Sequence, residues 1–257
     1  MQQFDPYDAL VPVFISIELP QRFMQIGTAV FFHINEEPFL ITAAHVIDQS
    51  LVGTLLVPCR EEFSPIDGYL VSIDLPPEAS RAKDNIDIAC YRLSKRFSTK
   101  LSLNFAPLPQ NRSELFLPVH ELTVCSAAGY PASKSKKNGA THSSEIYAFR
   151  GLTAKESTYK ELGLSVEENI VIHFHKKRAV HPESGQAFPT PGLKGISGGG
   201  IFAWPRGAEL SDDWSLPKLV GIVHTFREKE GLIIGSTLLP VITAVTFAFM
   251  KGFGGER

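Results

Sequence analysis

Glycine and proline interrupt this chain about once every seven residues, with 20 Gly and 18 Pro among 257. Proline lacks a backbone donor, and glycine loses more conformational freedom than any other residue when it is ordered inside an element. A chain punctuated this often is expected to fold into many short elements joined by turns. It also has the apolar content for a large core. Hydrophobic residues make up 44% and charged residues 20%, which excludes an intrinsically disordered chain. One unit over residues 1–257 is expected, with halves at about 8–105 and 118–250.

The apolar runs between the punctuation are strand-like. LVPVFISIEL begins at Leu10, GTAVFFHI at Gly27 and FLITAAHVI at Phe39, the last two joined by a polar turn over Asn35–Pro38. LVGTLLVPC, GYLVSIDL and IDIACYRL follow. Residues 95–120 are polar and proline-bearing and are expected to cross between the halves. ELTVCSAAGYP, EIYAFRGLTA, NIVIHFH, IFAW, KLVGIVHTF and LIIGSTL supply further strands. Residues 132–143 are expected to form a basic loop, and 239–250 a closing helix. The fold class is therefore all-β, a barrel or pair of barrels with a C-terminal helix.

Lys and Arg number 25 against 27 Asp and Glu, a balance that offers no broad nucleic-acid surface. Cys59, Cys90 and Cys125 are odd in number and lack metal-type spacing, so free thiols in a reducing, cytoplasmic setting are expected. The first residues carry no basic stretch and no long apolar stretch, and do not read as a secretory leader. The longest apolar run, Leu238–Met250, is 13 residues, contains Pro240 and is too short to span a bilayer. No membrane association is expected.

Three segments carry chemistry. Thr42-Ala43-Ala44-His45-Val46 ends an apolar strand, where an imidazole can reach a cleft. Asn85-Ile86-Asp87-Ile88-Ala89 places a carboxylate among apolar neighbours, where it needs a hydrogen-bonding partner. Gly195-Ile196-Ser197-Gly198-Gly199-Gly200 holds a serine on a backbone free to turn tightly and present consecutive N–H groups. A serine hydroxyl becomes a nucleophile when an imidazole takes its proton, and a carboxylate fixes the imidazole tautomer. The N–H groups of Gly195 and Ser197 are the candidate oxyanion donors.

These segments resemble the trypsin-like (chymotrypsin-fold) serine peptidases, in style nearest the bacterial intracellular and HtrA-type protease domains, here without a PDZ segment. TAAHV matches the histidine motif of that superfamily, DIA its aspartate motif and GISGGG its G-x-S-G-G nucleophile motif. The order His, Asp, Ser is also that of the superfamily, with 42 residues from His45 to Asp87 and 110 from Asp87 to Ser197. Ala128-Gly129-Tyr130-Pro131 resembles the turn opening the second barrel, and Leu219–Val223 the strand lining the substrate cleft.

The resemblance implies two six-stranded Greek-key β-barrels, a serine endopeptidase acting through an acyl-enzyme on a protein or peptide, and no cofactor or metal. It also implies substrate-facing positions at Pro191, His224, Thr225 and Phe226. No acid lies near Pro191, and Phe226 would make the pocket shallow, so small or medium apolar side chains are expected. His224 would reach Asp87 from behind. One departure is Ile196, where secreted members carry an Asp that binds a newly cut N-terminus. The alternative to an active enzyme is a dormant or non-catalytic module governed by a regulatory protein partner.

Other candidates have plainer readings. Asp84 rivals Asp87 but lies in the polar part of its loop. His173, His175 and His181 form a cluster that could hold a metal, yet no carboxylate or thiol completes a set, and a structural role is favoured. Lys134, Lys136 and Lys137 read as a solvated basic loop.

Overall fold

The computed structural model describes residues 5–18, 22–72, 80–113, 122–138, 141–175, 190–209, 211, 213 and 215–250. Its first half contains β1 (Leu10–Ile17), β2 (Arg22–Ile34), β3 (Glu37–Thr42), β4 (Thr54–Cys59), β5 (Glu62–Pro65), β6 (Gly68–Ser72) and β7 (Ala89–Leu93). These form one curled antiparallel sheet in the order β5-β4-β1-β2-β3-β7-β6. Two short helices accompany it, α1 (Ala44–Ile47) directly after β3 and α2 (Lys95–Leu101) after β7.

Turn chemistry accounts for the local order. Asn35 and Glu36 both have positive φ, 49° and 64°, as a two-residue hairpin turn with primed geometry requires. The strand therefore resumes at Glu37, and the expected turn residue Pro38 lies inside β3 opposite His33. Arg60, at φ 58°, reverses the chain after β4. The added strand β5 makes this sheet seven-stranded where six strands were expected.

The second half contains β8 (Val124–Gly129), a two-stranded ribbon of β9 (Lys136–Asn138) and β10 (Thr141–Ser143), then β11 (Tyr147–Leu152), α3 (Glu156–Leu162), β12 (Asn169–His173), β13 (Gly200–Ala203), β14 (Lys218–Arg227), β15 (Leu232–Thr237) and α4 (Leu239–Met250). Six of these strands make the second curled sheet, in the order β11-β8-β13-β14-β15-β12. Its two edges meet where Thr153 bridges Ile172 and the Ala154 N–H donates to Val171 O at 2.8 Å. Two curled antiparallel sheets with one C-terminal helix agree with the expected double-barrel class.

Three local features differ from the sequence expectation. The stretch after residue 95 opens with α2, capped by the Ser94 hydroxyl on the Phe97 N–H at 3.2 Å, with Phe97 and Leu101 buried one turn apart. The connection before β12 contains α3, whose Tyr159 is buried and accepts the Val171 N–H on its hydroxyl at 2.8 Å. The expected basic loop holds the β9–β10 ribbon. Each helix is only seven residues long, too short for apolar periodicity to stand out.

Between the sheets a shared core forms from both halves. Leu10, Val30, Phe32 and Ile41 of the first sheet pack with Ala128, Tyr130, Phe202, Leu219 and Ile222 of the second half, and α4 adds Val241 and Val245. The N-terminal turn is part of this seam. Asp5 caps Pro6–Ala9, the Tyr7 ring meets Phe202 edge-on at 5.1 Å, and the Tyr7 hydroxyl is 2.9 Å from Ser126 Oγ in the buried interior. Replacing Tyr7→Phe leaves Ser126 without that partner and is expected to cost roughly 1–2 kcal/mol. The melting temperature should fall by a few degrees, about 2–4 °C per kcal/mol for a chain of this size, as measured by calorimetry.

Candidate active site

The loop between β6 and β7 brings Asp87 to His45. A short helix leaves its first N–H groups without internal partners, and α1 starts with no side-chain cap at Ala43. Asp87 fills that role from a distance in sequence. Its Oδ1 accepts the His45 backbone N–H at 2.8 Å, and its Oδ2 lies 2.5 Å from His45 Nδ1. One carboxylate thus fixes both the backbone and the ring of the histidine, and a proton on Nδ1 leaves Nε2 as the free base. Burial pushes the Asp87 carboxyl upward. The hydrogen bonds and charge interaction with His45 outweigh it and hold Asp87 below the usual carboxylate range. The rival Asp84 is spent elsewhere, accepting from Arg81 Nη1 at 2.6 Å and the Ile86 N–H at 2.9 Å.

Ser197 lies on the loop that enters β13. Four successive carbonyls of this loop, from Lys194 to Ser197, are engaged. Lys194 O accepts from Ala132 N at 2.7 Å, Ile196 O from Gly199 N at 2.8 Å, and Ser197 O from Thr28 N at 2.8 Å. Gly195 O accepts from Thr28 Oγ1 at 2.8 Å. A trans peptide points its C=O and N–H in opposite directions, so tying Lys194 O to Ala132 turns the Gly195 N–H the other way. Neither the Gly195 nor the Ser197 N–H has a hydrogen-bond partner among the described residues. Gly195 at φ 98° and Gly198 at φ 85° occupy backbone regions that favour glycine. A Cβ on Gly198 would stand 2.0 Å from Thr28 O and Thr42 Oγ1. Ile196 is buried within the apolar core of the second half.

Ser197 Oγ donates to His224 O at 3.2 Å. His224 sits at an irregularity in the β14–β15 pairing, between Val223 and Thr225. His224 is 6% exposed, its Nδ1 is 2.9 Å from Thr225 Oγ1, and its buried Nε2 has no partner among the described residues. Burial drags its pKa down to about 4, against the opposing pull of the Asp87 charge, so the ring is neutral near pH 7.

A cleft of about 780 Å³ runs past these groups. His45, Gly195 and Ser197 line it, together with Phe23, Met24 and Ile26 of β2 and with Ala132, Ser133 and Lys194. The expected substrate-facing residues are not on its wall. Pro191 and His224 are buried, and Phe226 packs toward Phe174 at 6.3 Å between ring centroids. Sequence reasoning missed Thr28 and the β2 wall. A hydroxyl in the otherwise apolar run Ala29–Phe32 and its approach was the available signal, since a buried hydroxyl needs partners. His181 lies outside the described residues, and no metal-capable cluster occurs among those described.

No family model and no curated protein sequence matches the chain. Solved structures do. Neuropsin, a serine protease expressed in the limbic system of mouse brain, is 13% identical over 96% of this chain and 97% of its own, with a TM-score of 0.60. A thermostable serine protease, AL20, from an extremophilic microorganism is 13% identical over 94% and 96%, with a TM-score of 0.56. The serine protease domain of the Sesbania mosaic virus polyprotein is 15% identical over 92% and 91%, with a TM-score of 0.50. At such identities the likeness is one of fold: the chain has the chymotrypsin fold of trypsin-like serine proteases.

The buried neutral His224 gives acid sensitivity a defined sign. Its folded pKa lies below the usual histidine value of about 6.5, so the unfolded chain binds the proton more readily. Stability is therefore lost as pH falls from about 6.5 toward about 4, by roughly 2–3 kcal/mol. Urea unfolding at pH 7, 5.5 and 4.5 is expected to show this decline in wild type and a flatter profile in His224→Gln.

Proposed function

We propose that the chain is a serine endopeptidase in which His45 is the general base, Asp87 holds it, and Ser197 is the nucleophile. The observation that carries this reading is the two-point grip of Asp87 on His45 in the cleft that also contains Ser197. In the reaction His45 Nε2 takes the Ser197 Oγ proton as Oγ attacks the substrate carbonyl. The oxyanion forms against the N–H groups of Gly195 and Ser197. His45 then delivers the proton to the leaving amine. Water, activated by the same imidazole, later cleaves the acyl-enzyme. The imidazolium formed at each step faces the ionised, buried Asp87, whose charge needs no rearrangement.

The substrate in this reading is a protein or peptide chain laid along the cleft. Its leaving side would meet the carbon surface of Phe23, Met24 and Ile26, with Lys194 as a positive charge at the rim. The three free, buried cysteines support a reducing compartment, with burial pushing the Cys90 and Cys125 thiols up to about 12. No helix among the described residues is long and apolar enough to cross a membrane.

A second reading, a dormant module released by a regulatory partner, draws on one observation. Ser197 Oγ donates to His224 O and not to His45. A rotation about the serine χ1 is then needed before attack. The outward turn of the Gly195 N–H favours the ready form.

Labelling with a fluorophosphonate probe separates the readings. Wild type is expected to label, Ser197→Ala not at all, and His45→Ala more slowly by about a thousandfold or more. Folded wild-type protein that stays unlabelled would overturn the peptidase reading in favour of the dormant one.

A further inference from the structure

We propose that Thr28 is a positioning residue, a neutral latch through which the first sheet holds the Gly195–Ser197 loop in its ready conformation. The inference rests on the peptidase reading for its consequence, but on geometry alone for the latch. Four successive carbonyls, from Lys194 to Ser197, each accept a hydrogen bond. Three of the four donors are backbone N–H groups, which every residue but proline supplies. The fourth is the Thr28 hydroxyl on Gly195 O, and it is the one anchor that depends on a side chain.

Its direction is settled by its other partner. Thr28 Oγ1 takes the Tyr130 N–H at 2.9 Å, and a backbone N–H can only donate. The single hydroxyl proton is therefore directed to Gly195 O at 2.8 Å. The same residue donates its backbone N–H to Ser197 O, and its own carbonyl accepts from Thr42 Oγ1 at 2.6 Å. Thr28 has no exposed surface, so water does not replace a lost bond there.

The latch holds at a weak point. Gly195, at φ 98°, joins two peptides, and glycine crosses between backbone regions more easily than any other residue. Ala132 fixes the peptide that carries the Gly195 N–H, and Thr28 fixes the following peptide, whose Ile196 N–H donates to Leu193 O, so the two planes that meet at Gly195 are held together. Ile196 is apolar and buried and offers no charge with which an ion pair could hold the loop. Competence of the loop thus depends on the two halves staying in register, through bonds that salt does not screen. On this account no cut of the chain is needed to form the site.

The test compares Thr28→Val, of similar shape without the hydroxyl, and Thr28→Ser, which retains it, with Tyr7→Phe as a variant that loses a buried hydroxyl bond elsewhere. Amide exchange of the segment around Ile196–Gly199 is measured by mass spectrometry on the folded proteins, alongside fluorophosphonate labelling. Thr28→Val is expected to exchange faster in that segment and to label more slowly, each by about tenfold or more. Thr28→Ser should return both toward wild type, and Tyr7→Phe should change neither. If Thr28→Val does not fold, Thr28→Ala carries the same comparison. Wild-type exchange and labelling in the hydroxyl-free variant, or equal loss in Thr28→Ser, would overturn the latch. If wild type itself does not label, the peptidase reading fails, and the exchange pattern alone decides the latch.

Discussion

β2 of the first sheet runs directly against the loop that enters β13 of the second, and the separation at this seam is set by hydrogen bonds and not by side-chain bulk. Thr28 N and Oγ1 reach Ser197 O and Gly195 O, each at 2.8 Å. Gly198 fits beneath because it has no Cβ; one would lie 2.0 Å from Thr28 O. The shared core around Phe32, Tyr130, Phe202 and Ile222 keeps the halves together, and the seam converts that packing into a defined loop conformation. The cleft with His45 on one side and Ser197 on the other exists because these two surfaces are held in this register.

Electrostatically the site centres on a buried carboxylate, Asp87. Taking a carboxylate out of water is expensive unless donors replace the hydration shell. Asp87 recovers that cost from the ring and backbone of His45. His224 lies close enough to feel both the Asp87 charge and His45, yet burial keeps it neutral. Its Nε2 has no hydrogen-bond partner among the described residues, a cost that this burial carries.

Much of the fold was legible in the chain itself. Apolar runs of four to eleven residues between turn formers became strands close to their expected positions, and 239–250 became α4 as the pattern implied. What escaped was local and short. α2 and α3 have seven residues each, with one or two buried side chains apiece, too few to establish a helical period. β5 depends on Arg60 adopting a left-handed conformation that its side chain does not advertise. Of the candidate site residues, His45, Asp87, Gly195 and Ser197 come together. Pro191, placed by its distance from Ser197, and His224, Thr225 and Phe226, placed by register with a strand, are not among the residues lining this cleft, and the β14 pairing is irregular between Val223 and Thr225.

Residue types and local spacing made the class of fold legible and, with the family resemblance, marked His45, Asp87 and Ser197 as the candidate reacting groups. A carboxylate among apolar residues, a histidine at a strand end and a serine between glycines are chemical statements that hold before any folding. Only the tertiary structure decided what faces what. The grip of Asp87 on His45, the outward Gly195 N–H, the role of Thr28 and the β2 wall of the cleft all rest on contacts between residues tens to more than a hundred positions apart. Such contacts arise from the packing of two sheets against each other, and no local pattern in the chain encodes the distance at which they come to rest.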